Sequence, residues 1–104
     1  MNSYQVVILK EAAVDLESSI DWYEQQKIGL GLNFLLEFEG IADWLGHNPF
    51  LCQESFLFIR KALFPNYPYS IFYAVDEIGF RAEIIAVLHQ RINPDEIKKR
   101  INFL

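Results

Sequence analysis

Two amphipathic segments joined by a short glycine-containing interval constrain this chain more than any other feature of its sequence. The first segment starts at Glu11 and repeats apolar residues at helical spacing, on a stripe made of Ala13, Leu16, Ile20 and Tyr23. The second ends before Asn48-Pro49 and carries a stripe made of Phe34, Leu35, Phe38, Ile41, Ala42 and Leu45. Between them, Gly29 and Gly31 can adopt the positive φ that other residues resist, in an interval short enough to force a reversal. The pattern predicts an antiparallel helical hairpin.

β-rich segments flank this hairpin on both sides. Tyr4 to Leu9 alternates over a β-rich run, which predicts an N-terminal strand. After Pro49, three segments are dense in aromatic, isoleucine or valine residues and predict strands at Phe56 to Leu63, Tyr69 to Val75 and Ala82 to Leu88. Gly79 lies in the short connection between the last two, which predicts a β-hairpin there.

The C-terminal segment carries the signals of a short helix. Asn93 is suited to the N-cap and Pro94 to the first helical position, and Lys98 to Arg100 supply cations to the last turn. The order of elements predicts an α+β fold in one domain, residues 1–104. It comprises an N-terminal strand, an antiparallel helical hairpin packed on a curved antiparallel sheet of about four strands, and a short C-terminal helix. The first strand needs a partner among the later ones, and the sequence leaves the strand order open.

Composition excludes several classes of protein. With 52% hydrophobic residues in 104, the chain has enough apolar surface for one folded core, which excludes disorder. The single Cys52 excludes an intramolecular disulfide. No apolar run approaches the roughly 20 residues of a membrane span, and the first residues lack the features of a secretion signal. We therefore expect a cytoplasmic protein without a membrane partner.

Charge is distributed unevenly along the chain. The formal net charge is −5, but residues 11–54 hold nine acids and one base, whereas residues 55–104 hold seven bases and five acids. An anionic partner should therefore meet the second half of the chain. The favoured alternative is that the acids simply solvate the outer faces of helices.

Patterns of known chemistry are absent from the sequence, with one exception. Phosphate loops, Cys or His pairs at metal spacing and serine nucleophile elbows are all missing, so we expect no metal, no cofactor and no small-molecule substrate. The exception is His89-Gln90-Arg91, which follows an apolar strand. If the strand continues, His89 and Arg91 share a side, where an imidazole could move a proton while a guanidinium stabilises a phosphate oxyanion. The favoured alternative is structural, with His89 bonded to the backbone and Arg91 paired with a helix acid.

Aromatic residues are numerous, at sixteen in 104. Some large apolar residues fall outside the core stripes and predict an exposed groove that a protein partner covers: Trp22, Trp44, Phe50, Phe103 and Leu104. An irregular core is an equal alternative. Tyr69 and Tyr73 share one face of a predicted strand, where they could stack on a base, although filling the core is the favoured interpretation.

An ordered set of short motifs covers almost the whole chain. It consists of Asp15-Leu16, Trp22-Tyr23-Glu24, Gly29-Leu30-Gly31 with Phe34, Asn48-Pro49, Ile59-Arg60-Lys61, Phe64-Pro65, Pro68-Tyr69, Ile71-Phe72-Tyr73 and Val87-Leu88-His89-Gln90-Arg91. In this order the set resembles the RelE/ParE superfamily of bacterial toxins. The resemblance implies a type II toxin of the plasmid-stabilisation kind, encoded beside an antitoxin that wraps and neutralises it. It also implies a helical hairpin on an antiparallel sheet.

The residues of two motifs, Pro68-Tyr69-Ser70-Ile71 and His89-Gln90-Arg91, are more similar to the ParE-like branch of this superfamily. Ser70 stands where the mRNA endonucleases of the superfamily have an arginine, and the chain is acidic where theirs are basic. Ile92 departs from the second basic residue common in ParE-like members. The resemblance implies a non-catalytic inhibitor that binds DNA gyrase. The alternatives are a ribosome-dependent mRNA endonuclease and a degenerate, non-toxic member that only binds a partner.

These hypotheses assign roles to particular residues. The catalytic candidates of the endonuclease alternative are His89, Arg91, Arg81 and Arg60, with Lys61 in place of Arg60 as a variant. Arg60 and Lys61 are adjacent, so on a strand they point to opposite faces and only one can join a given site. The predicted target-binding residues are Arg60, Lys61, Tyr73, Arg91, Lys98, Lys99 and Arg100. The expected partners are the antitoxin and either gyrase or the ribosome, in a homodimer or a toxin–antitoxin hetero-oligomer.

Overall fold

The structure is a computed structural model that describes residues 3–101. In chain order the elements are β1 (Gln5–Ile8), α1 (Lys10–Gln26), α2 (Leu30–His47), β2 (Glu54–Phe56), β3 (Ile59–Leu63), β4 (Tyr69–Asp76), β5 (Arg81–His89) and α3 (Asp95–Ile101). Two of the predicted partner-binding residues, Phe103 and Leu104, lie outside the described residues. No helix within residues 3–101 is long and apolar enough to span a membrane.

The strands form one five-stranded sheet in the order β1-β5-β4-β3-β2. Neighbouring strands are antiparallel except for β1 and β5, which are parallel. The α+β class, the N-terminal strand and the short C-terminal helix are confirmed. The sheet is mixed rather than wholly antiparallel because β1 joins the last strand of the chain, so no tight turn dictates their relative direction.

The sheet has five strands instead of the predicted four or so, because one predicted strand is divided by a turn that has no signal in the sequence. Phe56 to Leu63 was predicted as one strand, and this prediction was wrong: Leu57, with φ 52°, reverses the chain and creates the β2–β3 hairpin. Such turns ordinarily use Gly, Asn or Asp, since a positive φ is costly for other residues. Because Leu57 is apolar, the sequence pattern reads as a continuous strand at this turn.

The helical hairpin forms as predicted, with a different role for each glycine. Gly29, at φ +92°, precedes α2 in the left-handed conformation. Gly31 does not adopt a positive φ, contrary to the prediction; it permits close helix contact, because a Cβ there would lie 2.6 Å from the carbonyl oxygen of Ile20. The carboxylate of Glu24, near the end of α1, accepts hydrogen bonds from the amides of Gly29 and Gly31, each at 3.0 Å. The end of α1 thus satisfies free amides at the start of α2.

The sheet buries a different core on each face. The hairpin covers one face with a cluster that includes Phe34, Phe38, Tyr73 and Ile84. On α1 the buried alanine is Ala12 rather than the predicted Ala13, which is exposed. The smaller α3 covers the other face. Its buried residue, Ile97, packs there in a cluster with Ile59, Ala74, Ile85, Ala86 and Leu88. Burial of one such large apolar side chain stabilises the fold by about 1.5–3 kcal/mol.

Candidate functional site

The C-terminal end of β5 carries the predicted imidazole. β5 ends at His89, and the amide of Ile92 donates to the carbonyl of His89 at 3.0 Å, so the chain turns instead of continuing as a strand. The Nδ1 atom of His89 accepts a hydrogen bond from the amide of Arg91 at 3.0 Å. The expectation that His89 and Arg91 share a strand side was therefore wrong. With Nδ1 as acceptor, the neutral imidazole carries its proton on Nε2, which leaves that atom as a donor.

Arg81 lies at the opposite end of β5 from His89. They are eight positions apart along an extended strand, which corresponds to roughly 25 Å. The Arg81 guanidinium is paired with Asp76 at 3.0 Å and lies 3.6 Å from Glu83. A hydrogen bond from the Gly79 amide and the neighbouring Arg81 lower the pKa of Asp76. Arg81 therefore belongs to the β4–β5 turn, and the structure does not bring it to His89.

Arg60 and Tyr73 hold the loop that follows α2. The Arg60 guanidinium donates to the carbonyls of Phe50 at 3.2 Å and Cys52 at 2.6 Å, and lies 5.4 Å from the centre of the Phe50 ring. The Tyr73 hydroxyl donates to the carbonyl of Pro49 at 2.9 Å. Burial is the largest cause that raises the pKa of Tyr73, and the neighbouring Cys52 raises it further. Tyr73 is fully buried and unavailable for stacking on a target, which corrects its assignment as a target-binding residue.

Arg100 closes a strand edge together with Asp15. The four residues of β1 pair only with the first part of β5, up to Ile84. Beyond that point Asp15 accepts a hydrogen bond from the amide of Val87 at 3.0 Å. Arg100 donates to the carbonyl of Ile85, the extra residue of a β-bulge, at 3.2 Å.

Arg100 is also paired directly with Asp15. Two hydrogen bonds join the two side chains, one of them at 2.9 Å. They raise the pKa of Arg100, whose side chain is only 11% exposed. Arg100 is thus committed to the fold and does not lie on an open cationic rim, contrary to its assignment as a target-binding residue.

The remaining predicted cations lie on the face of the sheet that α3 covers, or beside it. Lys61 Nζ lies 5.8 Å from the centre of the Phe72 ring, and Lys98 Nζ lies 5.2 Å from the centre of the Phe56 ring. Together with His89, these two lysines line a cavity of about 350 Å³ between the sheet and α3, which we call the α3 cavity. Lys99 and Arg91 are exposed and do not line it.

One residue of the α3 cavity was not predicted as a site residue. Ser70 on β4 lines it, and the Ser70 hydroxyl is buried without a hydrogen-bond partner among the described residues. A serine within the apolar strand pattern of β4 is a signal that could have marked it. Glu37, interpreted as a solvated helix acid, also has a specific role: its carboxylate accepts from the amide and side chain of Asn66 at 2.8 and 3.0 Å.

Trp44 lines a long groove between α2 and β3. The groove has a volume of about 1010 Å³, and we call it the α2–β3 groove; its lining includes Leu36, Gly40, Ile41, Trp44, Cys52, Ala62 and Leu63. β2 pairs only with Ile59 and Arg60, and the amide of Lys61 donates to the carbonyl of Gln53. Past Lys61, no strand within residues 3–101 pairs with the outer edge of β3.

The other two described partner-binding candidates do not lie in this groove. Trp22 is half exposed near the hairpin turn, beside a small cavity lined by Ser18, Ser19, Tyr23, Tyr69 and His89. Phe50 packs edge-on against Tyr4, with ring centres 5.9 Å apart, beneath the Arg60 guanidinium. Trp22, Trp44 and Phe50 therefore occupy separate parts of the surface.

Comparison with known proteins extends this description. The fold and its groove define a small α+β domain with a helical hairpin on one face of the sheet and open apolar surface beside an unpaired strand edge. The sequence matches no protein-family model and no curated protein. The structure is similar to a chain of the solved structure described as "Chromosomal ParDE TA system from P. aeruginosa", with a TM-score of 0.73 and 18% sequence identity. The match covers 84% of this chain and 96% of that chain. The fold that the resemblance implies is thus confirmed.

Proposed function

We propose that this chain is the toxin component of a bacterial type II toxin–antitoxin module, held inactive in the cytoplasm by a cognate antitoxin. The observation that carries the proposal is the fold it shares with nearly the full length of a chain from a ParDE toxin–antitoxin system. The ordered motifs from Asp15 to Arg91 are a second line of support, because they are a property of the sequence and not of the fold.

The α2–β3 groove is the surface we assign to the antitoxin. An extended segment could pair with the free edge of β3 near Leu63, while its apolar side chains contact Leu36, Ile41 and Trp44. Charge specifies the occupant further. Because residues 11–54 hold nine acids and one base, the segment that lies along α2 should carry Lys or Arg beside its apolar residues.

Genomic context and growth provide the first test. A short reading frame next to the gene should encode a protein with a DNA-binding start and an amphipathic end. Induction of this chain alone should arrest growth, and co-expression of the neighbouring protein should restore it and yield a stable complex. Harmless expression of the wild-type chain would instead favour the degenerate, non-toxic member.

DNA gyrase is the target we propose for the free toxin. The acidic chain, Ser70 in β4 and the ParE-like motif spelling support binding rather than catalysis. Exposed cations on and before α3, at Arg91, Lys98 and Lys99, are available for contact with the target. Purified chain freed of antitoxin should inhibit gyrase supercoiling, and the double variant Lys98→Glu/Lys99→Glu should inhibit it less. Unchanged supercoiling and unchanged gyrase-linked DNA cleavage would contradict this target.

Endonuclease activity has weaker support from the geometry. Of its candidate residues, His89 and Lys61 share the α3 cavity, whereas Arg60 binds loop carbonyls and Arg81 lies at the far end of β5. Cleavage of transcripts on induction, abolished by His89→Ala, would favour the endonuclease over the gyrase inhibitor. Intact transcripts in growth-arrested cells would exclude it.

A further inference from the structure

The α3 cavity has the dimensions and enclosure of a small-molecule site. Its volume of about 350 Å³ falls at the lower end of the range for ligand pockets. The sheet forms one wall and α3 the other, and the apolar part of the lining comprises Phe56, Phe72, Leu88, Ile92 and Ile97. A compact ligand with an apolar body would be enclosed there.

The fully charged side chains of the lining are both lysines, beside the neutral polar residues Ser55, Ser70, Gln90 and Asn93. Lys61 and Lys98 each place an ammonium group beside an aromatic ring of the lining. Among residues 3–101, no aspartate or glutamate lines the cavity. Asp95 lies 3.7 Å from Lys98, but this pair is well exposed and therefore weak. The electrostatics of the cavity favour an anion.

The Ser70 hydroxyl supplies an independent observation. Ser70 is 1% exposed, lines the α3 cavity, and its Oγ atom has no hydrogen-bond partner among the described residues. Buried polar atoms in native proteins are nearly always bonded, so an unpartnered hydroxyl beside a cavity indicates that a ligand completes the site. Apolar packing alone would be served better by alanine.

We propose that the α3 cavity binds a small organic phosphate, with the phosphate at Lys61, Lys98 and Ser70 and an apolar or aromatic body against the sheet. A phosphate monoester carries close to two negative charges and three acceptor oxygens, which matches two ammonium groups and a hydroxyl better than a monocarboxylate does. The ligand is held and not transformed, and this site does not depend on the proposed toxin function.

Binding of phenyl phosphate to the full chain, measured by titration calorimetry, tests the proposal. Phenyl phosphate should bind at least about tenfold more tightly than benzoate, which has the same ring and one charge, and than inorganic phosphate, which lacks the ring. Lys61→Met and Lys98→Met should each weaken binding about tenfold. Lys99→Met is the matched control, since Lys99 is exposed on the same helix outside the cavity.

Ser70→Ala separates ligand binding from folding. This variant should bind phenyl phosphate more weakly while the melting temperature of the free protein stays the same or rises, because an unpartnered hydroxyl is removed. A fall in the melting temperature of the free variant would overturn the argument from Ser70. No saturable binding below about 1 mM, or equal weakening by Lys99→Met and Lys61→Met, would overturn the site itself.

Discussion

At the scale of single residues, Asp15 completes the sheet where β1 is too short to do so. Its carboxylate accepts from the Val87 amide and from Arg100, which in turn donates to the Ile85 carbonyl. The motif Asp15-Leu16 is visible in the sequence, but its purpose is not. Asp15 and Arg100 are 85 residues apart and only the fold brings them together, so local pattern assigned one to a helix surface and the other to a target.

Asp15→Asn should destabilise the protein strongly. The Asp15 and Arg100 side chains are 13% and 11% exposed, and loss of the carboxylate leaves a nearly buried guanidinium without its main counter-charge. We expect a loss of about 2–4 kcal/mol in the free energy of unfolding, measured by urea denaturation. Glu17→Gln, at an exposed position of the same helix, is the control and should change it by less than about 0.5 kcal/mol. Equal effects of the two substitutions would refute this role.

Tyr73→Phe should change both the stability and its dependence on alkaline pH. The lost bond to the Pro49 carbonyl should cost about 1–2 kcal/mol near neutral pH. Because folding raises the pKa of Tyr73, the neutral phenol stabilises the fold below about pH 10 and this contribution is lost as the pH rises further. Urea denaturation from about pH 9 to about pH 11 should therefore show a smaller loss of stability in the variant. If the stability of the wild type and of Tyr73→Phe fell in parallel over this pH range, the prediction would be contradicted. Tyr23 and Tyr67 are present in both proteins, so their ionisation cannot produce a difference between the two.

At the scale of elements, the helical hairpin depends on one close contact. A methyl group at Gly31 would lie 2.6 Å from the Ile20 carbonyl, whereas nothing lies within 4 Å of the corresponding position at Gly40. Gly31→Ala should push α2 away from α1 and cost about 1–3 kcal/mol. Gly40→Ala, in the exposed interior of the same helix, should stabilise the protein by about 0.5–1 kcal/mol. Thermal unfolding of both variants checks the opposite signs, and a stabilising Gly31→Ala would show that the helices separate freely.

The elements differ in how far sequence could predict them. Helical periodicity and Gly29 are local signals, so the bounds of α1 and α2 follow from the residues themselves, and Asn93 caps α3 as expected through its bond to the Asp95 amide. The turn at Leu57 has no local signal, because its conformation is imposed by the pairing of β2 with β3. The parallel alignment of β1 with β5 is likewise decided by contacts between the two ends of the chain.

At the scale of the whole molecule, the two faces of the sheet present different surfaces. The α2–β3 groove lies beside the acid-rich helical hairpin, while the α3 cavity is lined by Lys61 and Lys98 and by no acid within residues 3–101. Sequence predicted the charge asymmetry and a groove that includes Trp44. The sequence pattern could not place Trp22, Trp44 and Phe50 relative to one another. The cationic site predicted from it also included residues that lie far apart in the fold, such as Arg81 and His89.

Leu36 and Leu32 allow the proposed antitoxin groove to be tested against a matched control. Both lie on α2 and are exposed to nearly the same extent, 54% and 55%, but only Leu36 lines the α2–β3 groove. Leu36→Arg should place a cation against an apolar partner segment that itself carries basic residues, and should weaken antitoxin binding by at least about 2 kcal/mol, or roughly thirtyfold. Leu32→Arg should leave binding unchanged.

The measurement is the affinity of each variant for the protein encoded beside this chain, together with rescue of growth on co-expression. Leu36→Arg should keep the toxicity of the free chain and lose the rescue, because Lys98 and Lys99, the α3 lysines assigned to the target, do not line the groove. Unfolding curves of the two variants should coincide, since neither leucine is part of the buried core. If both variants bind the antitoxin and are rescued like the wild type, the antitoxin occupies another surface. The unpaired edge of β3 would then have a role other than antitoxin binding.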